Sequence, residues 1–294
     1  MDPSASVFVG TFITQFLLKG VGVTPEMCVA IFTSVLAKLL HLNSARLHNI
    51  QGLVFVLAYW INMDAAAALN FLAERGALQT FFDLWCDNHE SFWGRYTINV
   101  STLAMMKVFQ SRDPRLAAIT VKGEELPAAG RGIRTRSKTK AAPPRYTQIP
   151  LYCKMVKIVI KEFGQRLNEE QDQLEHARHV GRALAEDDES DGDGEWEDDD
   201  DEGDGAEAFA HKSPFAPAEN YDLSTSEIIN LDGMFEGEED EEEGQDDPIY
   251  HVDMKAASAE FLKLLAADAE AAGMILPTLT PNEQRTANAA LETA

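Results

Sequence analysis

The chain has 294 residues, 45% of them hydrophobic, and a formal charge of −24 from 25 Lys and Arg against 49 Asp and Glu. That apolar share is enough for a genuine core, whereas so large an excess of carboxylates excludes non-specific nucleic-acid binding and docking on anionic lipid. The longest apolar stretch, Ile50 to Ile61, is interrupted by Gln51 and Gly52 and falls short of the ~20 residues that span a bilayer.

From the N-terminus the chain reads as helices. Phe8, Phe12 and Phe16, with Val9 and Ile13, recur at the i, i+4 spacing of one apolar helix face. Lys19-Gly20-Val21-Gly22 is a turn, and Thr24-Pro25-Glu26 is a helix start, with a capping hydroxyl followed by proline at the first helical position. Met27, Ile31, Val35 and Leu39 carry that helix forward, and Leu47, Ile50, Val54, Leu57 and Ile61 mark the next. Asp64 caps Ala65–Ala73, and Gly76 precedes a helix with Leu78, Phe81, Phe82 and Trp85. Another runs from Arg95 to Phe109, and after a Pro-rich break one from Ile149 to Leu167, buried along Met155, Val156, Val159, Ile160 and Phe163. No convincing period-two strand is visible. Paired, these helices give units of about 40 residues, the period of HEAT-type repeats, although periodicity alone does not separate a solenoid from a bundle.

Residues 127–148 break the pattern. This stretch holds Arg131, Arg134, Arg136, Lys138 and Lys140 with no acid, and its Gly, Pro and polar content predicts a loop. Its basic run reads equally as a localisation signal, a nucleic-acid patch, or a partner for the acids that follow.

Charge divides the molecule. Up to Val180 there are 20 Lys and Arg against 15 Asp and Glu; from Gly181 onward there are 5 against 34. Acids fill 14 of 19 positions in Glu186–Asp204 and 9 of 12 in Glu236–Asp247, a density whose self-repulsion predicts an unfolded insertion. Leu223, Ile228, Ile229 and Leu231 form a brief apolar patch between the tracts. The helical pattern resumes after Pro248 with Ile249, Val252, Phe261, Leu262, Leu264 and Leu265, so the acids form an insertion and not a tail. The expected organisation is helical repeats over 1–180, an acidic disordered insertion over 181–247, and C-terminal helices over 248–294 that complete the last repeat.

Chemistry-bearing motifs are scarce. There is no nucleophile elbow, zinc-binding His-Glu motif, Walker loop or dinucleotide fingerprint. Cys28, Cys86 and Cys153 lack metal-ligand spacing and read as buried thiols of a reducing compartment. His176 and His179 are two potential ligands without a third. Asp187, Glu189, Asp191, Gly192 and Asp198 approximate a calcium loop, but positions 3 and 12 carry the wrong residues and no exiting helix follows, so diffuse cation condensation is expected. No enzyme, metal or cofactor is predicted.

The acidic tracts read either as a solubilising linker or as an electrostatic arm for a basic partner, the latter favoured by Trp196, Phe209, Phe215, Tyr221, Phe235 and Tyr250 among the acids. The carboxylates expected to meet basic cargo are Asp187, Asp188, Glu189, Asp191, Glu197, Asp198, Asp199, Asp200 and Asp201, beside Trp196, and then Glu239, Asp240, Glu241 and Glu242. A non-catalytic helical scaffold with a merely solubilising insertion is the alternative.

Several segments carry a resemblance: Val121-Lys122-Gly123-Glu124-Glu125, Gly132-Ile133-Arg134-Thr135-Arg136-Ser137-Lys138, the helix from Ile149-Pro150-Leu151 through Ile160, Trp196-Glu197-Asp198 within the acids, Asp247-Pro248-Ile249-Tyr250, and Pro281-Asn282-Glu283-Gln284-Arg285. In order from about Leu53 onward, they resemble the C-terminal part of the importin-β (karyopherin) family of nuclear transport receptors. The first fifty residues fit the helical pattern without a matching motif. The resemblance implies an all-α HEAT-repeat solenoid that wraps cargo, is emptied by Ran-GTP, and shuttles between cytoplasm and nucleus. It implies core-histone dimers and ribosomal proteins as cargo. Family members stack about twenty repeats, and this chain holds about four or five, the length of a fragment, a truncated gene product or a shortened paralogue.

Overall fold

A computed structural model of the chain describes residues 3–42, 47–126, 145–187 and 247–292. It is an all-α solenoid segment with one short strand pair. The helices are α1 (Pro3–Lys19), α2 (Pro25–Leu40), α3 (Leu47–Met63), α4 (Ala65–Glu74), α5 (Leu78–Asn88), α6 (Arg95–Ser111), α7 (Leu151–Asp187), α8 (Met254–Ala267), α9 (Ala269–Ile275) and α10 (Pro281–Glu292). Strands β1 (Thr120–Glu125) and β2 (Tyr146–Pro150) lie between α6 and α7.

Local chemistry sets several helix starts. Thr24 Oγ1 accepts the Met27 amide at 3.3 Å with Pro25 at the first helical position, and Asp64 Oδ1 accepts that of Ala67 at 2.9 Å. Asp253 and Asp268 cap α8 and α9 likewise. Thr280 and Glu283 exchange reciprocal bonds at the head of α10: the Thr280 amide donates to Glu283 Oε2 (2.7 Å) and the Glu283 amide to Thr280 Oγ1 (3.3 Å). Each satisfies amides that a helix start leaves without a partner.

One compact unit comprises residues 1–168 and 244–294. In it α1, α3 and α6 stack in a row, and α2 and α4 pack beside that row. The first part of α7 extends the row, with Tyr152 edge-on to Phe109 at 5.4 Å and Arg166 donating to Asn99 Oδ1 at 2.8 Å. One apolar core runs from Phe32 through Trp85 to Met155, and a second joins Phe109, Phe163, Phe261 and Ile275. Buried Trp85 donates to Ser101 Oγ at 2.8 Å. Gln51, which interrupts the apolar stretch of α3, is buried and satisfied by both backbone groups of Trp93, at 2.6 and 3.2 Å. The second unit, residues 169–243, is described only as the continuation of α7 to Asp187, exposed at each position from Glu169 to His179.

Three expectations need correction. Phe8, Phe12 and Phe16 point to solvent, Phe12 at 71% exposure, while Gly10 and Thr14 face inward; α1 lies so close to α3 that only small side chains fit between them. No strand was expected, yet the chain forms β1 and β2, the second beginning inside the stretch read as a loop, paired antiparallel with Val121 opposite Ile149 and with β1 packed on α5. Tertiary partners hold them: Gln79 Nε2 donates to the Thr120 carbonyl (2.8 Å) and the Leu151 amide to that of Ile119 (2.9 Å). The helix expected over 149–167 therefore starts at Leu151, after Pro150 ends β2, and continues to Asp187, past position 180.

Candidate functional site

The structure places one of the expected cargo-binding residues, Asp187, at the last turn of α7. Asp188, Glu189, Asp191, Trp196, Glu197 to Asp201 and Glu239 to Glu242 lie outside the described residues, as do Arg131, Arg134, Arg136, Lys138 and Lys140 and the apolar patch at 223–231. The described residues show the ground from which these segments leave and to which they return.

Residues 127–144 leave from the strand pair. The Leu126 amide donates to the Arg145 carbonyl at 2.7 Å, which holds the two ends of the basic segment one hydrogen bond apart. The register slips between Lys122 and Glu125. A β-carbon on Gly123 would meet Thr147 Oγ1 at 2.4 Å, and that hydroxyl accepts the Glu124 amide at 2.9 Å, so the irregularity requires glycine here.

Beside the strands is an open cleft of about 710 Å³, lined by Gly123, Glu124, Thr147 and Ile149 of the strands, one face of α7 from Lys154 to Asn168, Glu90, and the head of α10. Lys154, Lys157 and Lys161 recur at i, i+3, i+7 on α7 and so share a face. Lys157, 12% exposed, bridges Glu124 (3.2 Å) and Glu283 (2.9 Å) and ties α7 to β1 and α10. Lys161 meets Glu90 at 2.8 Å and Lys154 meets it at 3.7 Å. The hydrogen bond from Lys161, with Lys154 nearby, holds the Glu90 carboxyl below its usual range against the opposing effect of burial.

The acidic insertion returns at Asp247. This carboxylate is buried, 6% exposed, although it ends a tract read as wholly solvated. Its Oδ2 accepts the Tyr96 hydroxyl and its Oδ1 the Ile249 amide at 2.8 Å. The Tyr250 amide donates to the Asp247 carbonyl at 2.9 Å, and the rings of Tyr96 and Tyr250 lie 5.9 Å apart. Burial, and then the Asp247 carboxylate, raise the phenols of both Tyr59 and Tyr96 above their ordinary range.

Burial pushes the Cys86 thiol up to about 12 and raises that of Cys153, the opposite of activation. His176 and His179 stand exposed on α7, and among the described residues no three His, Cys, Asp or Glu converge on a metal position. Nor is any described helix long and apolar enough to cross a membrane.

Sequence reasoning missed the roles of Asp247 and Tyr96, and the lysine stripe of α7. The stripe shows in the spacing; only the fold shows that Tyr96 meets residue 247.

No family model matches the chain. Among curated proteins it is similar to importin subunit beta-5 of Saccharomyces cerevisiae, 26% identical over 169 residues (56% of this chain, 17% of the relative). The Schizosaccharomyces pombe protein of that name is 31% identical over 121 residues (39% and 12%). Importin-9 of Drosophila melanogaster is 26% identical over 173 residues (55% and 17%). The matched region is thus less than a fifth of each relative's length. Three importins from yeasts and an insect, matched on a chain of stacked helices, give the conclusion: over about half its length the chain is similar to receptors of the importin-β (karyopherin) family.

Proposed function

We propose that this chain is a cargo-binding segment of a nuclear import receptor, in which the acidic residues of the insertion capture basic proteins and the helical body supplies shape. Core-histone dimers and ribosomal proteins are the proposed cargo, release by Ran-GTP and shuttling between cytoplasm and nucleus belong to the same reading, and no bond is made or broken. The observation that carries the proposal is the charge division: 34 acids against 5 bases from Gly181 onward, attached to a body similar to importins. An exposed ion pair is worth only about 0–1 kcal/mol, so affinity must come from the number of carboxylates and must weaken as salt screens them.

The test is titration of a core-histone dimer at low and at physiological ionic strength, with the native chain and with one whose acidic tracts are replaced by a neutral Gly/Ser linker. Binding that falls with salt and is lost with the linker supports the arm. Salt-independent binding, or binding that survives the linker, refutes it.

A further inference from the structure

We infer that the cleft between the strand pair, α7 and the head of α10 is a seat for an extended peptide that carries a basic and an acidic side chain two residues apart. The site lies on the folded body and does not depend on capture by the acidic insertion.

Its charges are balanced in number but not in place. Three lysines of α7 and three glutamates line the cleft. Lys157 alone bonds both Glu124 (3.2 Å) and Glu283 (2.9 Å), whereas Lys154 (3.7 Å) and Lys161 (2.8 Å) share Glu90. The Lys157 group therefore carries an excess negative charge, and the Glu90 group an excess positive one. Exposure marks the members that a ligand can reach: Glu124 is 68% exposed and Lys161 47%, against 12% for Lys157 and 15% for Lys154. Glu124 can turn to a ligand cation while Glu283 keeps its bond to Lys157. Lys161 can turn to a ligand carboxylate while Lys154 stays beside Glu90. No shielded charge is then left without a counter-charge, the condition under which partly buried ions are tolerated.

Spacing sets the ligand's form. Lys157 and Lys161 stand about 6 Å apart along α7, and side chains i and i+2 of an extended chain lie about 6.6 Å apart on one side. A base over Glu124 thus places an acid two residues on over Lys161. The α7 wall runs from Lys154 to Asn168, about 21 Å, the reach of about six extended residues. Past the charged part this wall turns to amides, Gln165 and Asn168, with Asn282 of α10 also in the lining. Each offers a donor and an acceptor, as a peptide unit does. A β-carbon on Gly164 would come within 3.1 Å of Thr286 Cγ2, so glycine lets α10 approach α7 there.

The experiment titrates the full chain, isotope-labelled for NMR, with capped eight-residue Ser/Thr peptides that hold one Lys and one Glu. The two charges stand two residues apart, in both orders, or adjacent, and a ten-residue oligolysine controls for the acidic insertion. The amide signals of Gly123 and Gly164, both in the cleft wall, report occupancy. One order of the two-apart peptide is expected to shift both signals. The adjacent pair, which fills one seat only, should bind about two- to five-fold more weakly, and Glu124→Gln and Lys161→Gln should each weaken the two-apart peptide by the same factor. Oligolysine should leave both signals in place. Signals that move with neither order, equal affinity for two-apart and adjacent charges, or affinity unchanged in either Gln variant overturns the inference. Equal shifts with oligolysine overturn it too, since no acid is then needed.

Discussion

Gly10 of α1 and Gly52 of α3 approach so closely that a β-carbon on Gly10 would lie 2.3 Å from the Gly52 carbonyl oxygen. At an exposed helical position Gly→Ala gains about 1 kcal/mol of helix propensity. Here the added methyl meets backbone, which cannot rotate away, so Gly10→Ala is expected to destabilise by about 1–3 kcal/mol. The shift of the urea midpoint measures this. A more stable variant would show that α1 does not sit on α3 as described.

His89 is buried, packs 5.5 Å from the Phe92 ring, and has no hydrogen-bond partner on either ring nitrogen among the described residues. Burial lowers its pKa from 6.5 to about 4, with Lys161 and Lys154 adding to the shift and Glu90 opposing it. The unfolded chain therefore takes up the proton first. The contribution of neutral His89 is complete above pH 6.5 and is lost as pH falls toward 4, by up to about 3 kcal/mol. Melting temperatures between pH 7 and 4 should drop less steeply in His89→Phe than in the native chain. Identical slopes would remove His89 as the cause.

Lys157 joins two carboxylates of unequal surroundings. Glu124 is 68% exposed, whereas Glu283 is largely shielded and also accepts the Thr280 amide. Glu124→Gln is expected to cost about 0–1 kcal/mol, and Glu283→Gln about 1–2 kcal/mol, because the second loses a charge-assisted bond and weakens the cap of α10. Chemical denaturation of the two single variants decides. Equal losses would mean that the cleft's ion pairs hold nothing together.

Local signals were legible where the physics is local. Thr24 with Pro25, and Asp64, announce helix starts because a side-chain oxygen two or three residues from a free amide needs no distant partner. Orientation was not. The Phe8, Phe12, Phe16 stripe has the spacing of a buried face yet points outward, because the approach of α1 to α3 is set by Gly10 and Gly52. Nor was the strand pair: Thr120–Glu125 alternates only partly, and its antiparallel partner begins 21 residues after it ends. The acidic tracts were legible in composition, but Asp247 looked like its neighbours; its distinction is Tyr96, 151 residues earlier in the chain.

Sequence by itself determined the helical units, their caps, the absence of familiar catalytic motifs, and the division into a near-neutral body and an anionic insertion, since each depends on residue type and short-range spacing. Tertiary structure alone decided which face of α1 turns inward, that β1 and β2 pair between α6 and α7, that three glutamates from separate elements meet the lysines of α7, and that one carboxylate of the acidic tract turns inward. Those outcomes depend on groups brought together from distant parts of the chain, where close backbone approach and the cost of leaving a buried charge unbonded outweigh local preference.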